Sequence, residues 1–228
     1  MRKPLVIALS GWKRSGKDLT ADFLINEFGF KRYSFADLLK DMVSRDYNVA
    51  RDLLDDNKFK EMPLLDKPVE PKDGFTKTIA NLLFLEFKTK EGNKSKYNDF
   101  TTSQLHLEQL FWTPRSLAIL MGSTNRAVAS DYWVKAVLNK AYLNGDHAIV
   151  ITDLRYKSEL SQLREQFGDN LITIRINRFD SSPSNDPSER DLDHAEFDYI
   201  VDNKETILVL QDKIARLVEK EVITRNAL

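Results

Sequence analysis

Gly11-Trp12-Lys13-Arg14-Ser15-Gly16-Lys17 reads G-x-x-x-x-G-K and follows directly on the apolar run of residues 5–9. A continuous rather than alternating run is the pattern of a strand buried on both faces. The spacing has a mechanical reason: glycines let successive backbone N–H groups curl around a phosphate, while the following helix amino terminus and the lysine add positive charge. Gly11, Lys13, Arg14, Ser15, Gly16 and Lys17 are therefore candidate ligands of a polyphosphate, and three of them are cationic. Only 8 of 228 residues are glycine, about half the roughly 7% usual share, which makes a chance match at this spacing less frequent.

Asp18 stands where a Ser or Thr commonly offers a hydroxyl to Mg²⁺. Its carboxylate could take the metal directly or through water, meet the incoming phosphate acceptor, or simply be an acid favoured in a helix first turn. Thr20 is a substitute hydroxyl.

The rest of the chain alternates strand-like and helix-like segments. Residues 19–28 place Phe23, Leu24 and Phe28 at helical spacing before Gly29; 32–35 and 36–43 follow as strand and helix. Residues 132–143 put Trp133, Val134, Val137, Leu138 and Ala141 on one helical face, and 148–152 form a compact apolar strand ending at Asp153. A helix marked by Leu160, Leu163 and Phe167, a β-branched strand over 171–176, a polar loop over 179–192, a short strand over 199–201 and a last helix striped by Ile207, Leu210, Ile214 and Leu217 complete the pattern. This alternation predicts a three-layer α/β/α fold around a parallel sheet. Residues 45–111 differ: they are highly charged, with Pro63, Pro68, Pro71 and the Asp73-Gly74 turn signal, and read as a mostly helical insertion into a core made of 1–44 and 112–228.

Composition narrows the chemistry. With no cysteine there are no disulfides, thiolate zinc sites or cysteine nucleophiles, and the three histidines show no ligand spacing. Lys+Arg 34 against Asp+Glu 35 leaves no global field for nucleic acid or an acidic membrane. No apolar run is long enough to span a bilayer, and no secretory signal pattern opens the chain, so a cytoplasmic protein is expected. A guanine-specific GTPase would need Asn-Lys-x-Asp; Asn93-Lys94, Asn139-Lys140 and Asn203-Lys204 lead instead to Lys96, Tyr142 and Thr206. None of the glycines follows an Asp at the spacing of a switch element, and one loop in a chain of this length argues against a motor. A small-molecule kinase is the leading class.

Asp153 falls at the carboxyl edge of its strand, where open α/β sheets bind ligands. Arg155 and Glu159 follow closely, and this trio suits a phosphorylated acceptor clamped bidentately by the guanidinium. The plainer reading stays open: an Arg155–Glu159 helix pair, with Asp153 as a helix cap. Trp133, at helical spacing with Val137, is equally a core residue or a ring that stacks on a ligand.

The runs GWKRSGKD, YSFADLLKDMV, WTPRSLAILMGSTNRAVASDYWVK, ITDLRYKSEL and INRFDSSPSNDPSERDLDHAEFDYIVDN resemble, in order and approximate spacing, the bacteriophage deoxynucleoside monophosphate kinases. Loops ending Gly-Lys-Asp are typical of that family. The resemblance implies the P-loop nucleoside monophosphate kinase fold, with a five-stranded parallel core, an acceptor-binding insertion and a lid over about 178–196. It implies transfer of the γ-phosphate of ATP, with Mg²⁺, to a deoxynucleoside monophosphate, serving deoxynucleotide supply, in the host cytoplasm if the chain is phage-encoded. A homodimer is implied too, since related kinases often are dimers.

Residue by residue, the resemblance implies Lys17, Asp18 and Arg178 in catalysis, with Asp18 at the metal, and Asn203 beside the adenine of ATP. Arg115, Trp133, Asp153, Arg155 and Glu159 fall to the acceptor, with Gly122 allowing close approach; Arg175, Ser188 and Glu189 fall to the lid region. Ile119 stands where related sequences often have Gln, and Asp186 where a His commonly precedes the Ser-Glu pair. Two alternatives remain: a same-fold kinase of another metabolite, such as dephospho-coenzyme A, and a non-catalytic nucleotide-binding or packaging accessory protein.

Overall fold

The computed structural model describes residues 3–56, 58–60, 113–178 and 190–225. Two compact units divide the chain: Met1–Phe35 with Trp133–Leu228, and Ala36–Tyr132. The polar stretch 179–189, with Asp186, Ser188 and Glu189, and most of the expected insertion lie outside the described residues.

The first unit is built on five parallel strands: β1 (Leu5–Ser10), β2 (Lys31–Tyr33), β3 (Ala148–Ile151), β4 (Leu171–Asn177) and β5 (Tyr199–Asp202). Their order across the sheet is β2-β3-β1-β4-β5. The continuous apolar runs mark strands covered on both faces, as parallel packing requires: every residue of β1 and β3 is buried, as are six of the seven in β4. Central β1 pairs Leu5 with Ala148 on one side and Val6 with Leu171 on the other. The chain leaves β1 toward the β3/β2 side and later crosses over it to β4. The carboxyl end of β1 is thus the switch point where open α/β sheets form their ligand crevice.

Helix α1 (Lys17–Phe28) follows β1 and stops at Gly29, whose left-handed φ of 70° lets its N–H reach back to the Ile25 and Leu24 carbonyls. It buries Thr20, Ala21 and Leu24, while Phe23 and Phe28 meet edge-on at 5.9 Å and are only partly covered. Helices α2 (Phe35–Tyr47) and α3 (Arg51–Asp55) follow β2; α2 runs further than its sequence stripe suggests. Helix α4 (Pro114–Val128) has no counterpart in the sequence reading, although Pro114 is well suited to a first turn and Leu117, Met121 and Thr124 form a buried stripe. Helix α5 (Tyr132–Asn144) precedes β3, α6 (Lys157–Phe167) links β3 to β4, and α7 (Ile207–Arg225) ends the described chain.

The core of the first unit joins Leu5, Ile7 and Leu9 of β1 to Leu24, Phe30, Ile172, Ile174, Leu210 and Ile214. In the second unit, Val43, Tyr47, Val49, Leu54, Leu117 and Met121 form a separate cluster. A Cβ added to Gly122 there would meet Leu39 at 3.5 Å, an ordinary contact. None of the described helices is long and apolar enough to cross a membrane.

Candidate active site

The loop between β1 and α1 is shaped by backbone that side chains resist. Gly11, Arg14 and Gly16 have φ of 146°, 66° and 105°. A Cβ on Gly11 would strike the Ile176 carbonyl oxygen, and one on Gly16 would come within 2.6 Å of Asn203 Nδ2. Glycine is required at both by torsion and by space. The Trp12 carbonyl is the hub of the turn: it accepts from the Ser15 N–H at 3.1 Å and from Lys17 Nζ at 3.0 Å. The Lys17 ammonium is thereby held across the loop, while Lys13, Arg14 and Asp18 are exposed around it. The first N–H groups of a helix have no intrahelical acceptor, so the start of α1 at Lys17 adds the positive end of a dipole to these cations.

Beneath the loop, Asn203 is buried and donates Nδ2 to the Ser15 carbonyl at 2.9 Å, and its own N–H donates to the Asn177 carbonyl at 2.7 Å. This amide props the loop from below. Ser15 Oγ and Thr20 Oγ1 are buried without a hydrogen-bond partner among the described residues. Thr20 is only 1% exposed, because it lies on the face of α1 that carries Ala21 and Leu24 into the core.

At the end of β3 the three residues expected to meet an acceptor have separate occupations. Asp153 accepts from Ser34 Oγ and from the Phe35 N–H, both at 2.9 Å, so it caps the start of α2. Glu159 is 4% exposed and accepts from the Arg155 and Tyr156 N–H groups at 3.1 Å, closing the capping box of α6. Arg155 is exposed on the turn between them. Of the trio, Arg155 is the exposed residue.

The remaining candidates are spread more widely. Arg178 is exposed just beyond β4. Arg175, expected near a lid, is buried inside β4; its guanidinium donates to Asp193 Oδ1 at 2.7 Å and to the Leu192 carbonyl at 3.2 Å. Trp133 is 3% exposed in the first turn of α5, so its ring packs as a core side chain. Arg115 is exposed on α4 in the second unit, where its N–H donates to the Lys60 carbonyl at 2.9 Å. Ile119 on the same helix is 57% exposed. Trp12, Asn177 and Asp193, which the sequence reading did not single out, all take part in holding the loop or its support.

A strand, a glycine turn with a lysine across it, and a helix at the sheet's switch point form a phosphate-binding loop. Residues 5–67 match the family model of deoxynucleotide monophosphate kinase. The matched segment contains β1, the loop, α1, β2, α2 and α3. No curated protein sequence matches the chain. Among solved structures, the dephospho-CoA kinase from Campylobacter jejuni is similar in fold, at 11% identity and a TM-score of 0.49, over 99% of this chain and 100% of that one. The kinase family match and the loop geometry together support a nucleotide kinase.

Proposed function

We propose that the chain transfers the γ-phosphoryl group of ATP to a deoxynucleoside monophosphate, yielding ADP and the diphosphate. The observation that carries this reading is the loop itself: three residues at positive φ and Lys17 spanning the turn at the carboxyl end of β1. The family match over residues 5–67 supports the acceptor class. An acceptor phosphate oxygen attacks the γ-phosphorus as the bond to the β,γ-bridging oxygen breaks. The acceptor is already anionic, so no general base is required, and rate comes from positioning and positive charge.

In this reading Gly11, Lys13, Arg14, Ser15 and Gly16 cradle the phosphates, and Lys17 and Arg178 offset charge on the transferring group. Asn203 holds the loop's shape through Ser15. Arg155 takes the acceptor phosphate, with Arg115 assigned to the acceptor by family resemblance; Asp153 and Glu159 fix the turn that presents Arg155. Among the described residues no three acidic or imidazole side chains converge on a metal site. Mg²⁺ is commonly held by phosphates, waters and one or two carboxylates, and exposed Asp18 fits that single-carboxylate role. Bound there, the ion would neutralise phosphate charge. We assign the enzyme to the cytoplasm, that of the host if phage-encoded, and to a homodimer.

A coupled ADP-release assay with each of the four deoxynucleoside monophosphates tests the reading. Turnover with at least one is expected; none with any of them overturns it.

A further inference from the structure

Arg175 is the one charged residue of β4, Leu-Ile-Thr-Ile-Arg-Ile-Asn, and is paired with Ser10, the last residue of β1. A cation taken into a sheet costs several kcal/mol of desolvation unless it is well paired. Here the guanidinium is paired with Asp193 at 2.7 Å and sits 5.8 Å from the centre of the Trp12 ring and 5.8 Å from that of Phe197. The Asp193 oxygen that accepts from Arg175 also accepts from Trp12 Nε1 at 2.9 Å. One carboxylate oxygen therefore ties the buried strand cation to the indole of the phosphate loop.

Asp193 does not depend on Trp12 for its place. Its N–H donates to the Arg190 carbonyl, and the Ala195 N–H donates to that of Leu192. On either side, Asp191 accepts from the Lys157 N–H at 2.7 Å and the Glu196 carbonyl accepts from Arg164 at 2.6 Å. Residues 190–197 thus form a pinned platform, and the indole is the group being positioned. Trp12 in turn supplies the carbonyl that receives Ser15 N–H and Lys17 Nζ. Burial energy alone does not account for the pair, since well-packed apolar residues usually serve at least as well as a buried ion pair.

We infer that Asp193 and Arg175 are positioning residues for the phosphate loop, acting through the Trp12 indole, and that they set the protein's affinity for the phosphates of ATP. The inference rests on the reading of the loop as an ATP-phosphate site. Trp12→Phe keeps a ring against Arg175 and leaves the ion pair intact while removing the N–H donor. Arg175→Met with Asp193→Leu removes both charges together, so neither is left buried alone. Calorimetric titration with Mg·ATP, the KM values for ATP and for the acceptor, and the Tm are measured on the full chain. For Trp12→Phe the expected result is a roughly tenfold loss of ATP affinity, the scale of one hydrogen bond to a charged group. Tm and acceptor KM should stay close to those of the parent protein. The double variant should lose a similar factor, and adding Trp12→Phe to it should cost little more, because the three groups act as one unit. Unchanged ATP affinity in Trp12→Phe overturns the inference while leaving the ATP-site reading standing. Failure of the parent protein to bind Mg·ATP overturns that reading itself. If the double variant does not fold, Trp12→Phe decides alone.

Discussion

Two strand ends in the first unit invite comparison, because both look like binding turns in the sequence and are built on opposite plans. After β1, the chain forms its turn with positive-φ residues and brings one side-chain cation, Lys17, across it. After β3, the turn is made by carboxylates: Asp153 caps α2 and Glu159 caps α6. The first arrangement gathers backbone and side-chain positive charge around the turn. The second directs its acidic side chains inward at the chain's own N–H groups and leaves Arg155 on the outer surface. If Arg155 takes the acceptor phosphate as proposed, these acidic groups serve it by fixing the turn that carries the cation.

The sharpest way to break this contrast is at Lys17. Lys17→Ala is expected to lower kcat by about a thousandfold, the scale of losing a transition-state charge contact, with Tm little changed because the side chain is not in the core. Steady-state turnover with a thermal melt checks it, and unchanged turnover would remove the loop from catalysis. Next in size is Arg155→Ala. Loss of a bidentate phosphate contact should raise the acceptor KM by about ten- to a hundredfold, leaving ATP affinity as it was. A change confined to the ATP side would show that the β3 turn does not serve the acceptor.

Much of the sheet was legible because burial on both faces demands unbroken apolar runs, which residues 5–9 and Ala148–Ile151 carry, and because residues 171–176 are rich in β-branched side chains. The loop was legible because its chemistry is local: two glycines and a lysine at fixed spacing. Asp153 and Glu159 were found as a pair, but spacing cannot tell a carboxylate aimed at a ligand from one aimed at Ser34 or at a helix N-terminus. Helix α4 does carry sequence signals, in Pro114 and the Leu117–Met121 stripe. Asn203 under Ser15 and Asp193 under Trp12 are different: their partners are 188 and 181 residues away in the chain, so no pattern in the sequence announces them.

At the β3 turn, the two plans can be separated by paired substitutions. Glu159→Ala should cost about 1 kcal/mol of stability by opening the capping box. Glu159→Gln keeps an oxygen acceptor for the Arg155 and Tyr156 N–H groups and should recover most of that loss in a denaturant titration. Turnover should follow the same order, falling in the alanine variant and returning in the glutamine one. A glutamine variant as stable as the parent protein but inactive would give Glu159 a direct role in the reaction and erase the contrast with the loop.

The last effect lies at the neighbouring strand end and is read across the alkaline range. Tyr33 closes β2, where its carbonyl accepts the Thr152 N–H, the residue before Asp153. Its phenol donates to Asp146 at 2.6 Å and accepts from Asn144 at 2.9 Å. Burial first, and then the Asp146 hydrogen bond and charge, push its pKa from 10.0 up to about 12. Below pH 10 the phenol is protonated in the folded and the unfolded chain alike, and its contribution to stability is complete. Between pH 10 and about 12 the unfolded chain releases the proton while the folded one keeps it, so stability falls through this window, by something on the order of 2 kcal/mol. Tyr33→Phe should lower stability at neutral pH by about 1 kcal/mol, since Asp146 loses a donor, and should flatten the decline above pH 10. Denaturant titrations of both proteins at pH 8 and pH 11 make the comparison, and parallel declines would mean that this part of the sheet does not hold the proton. Such an outcome would set the β2 end apart from the β3 end, where the carboxylates are tied to backbone N–H groups that do not titrate and the capping should persist across the same window.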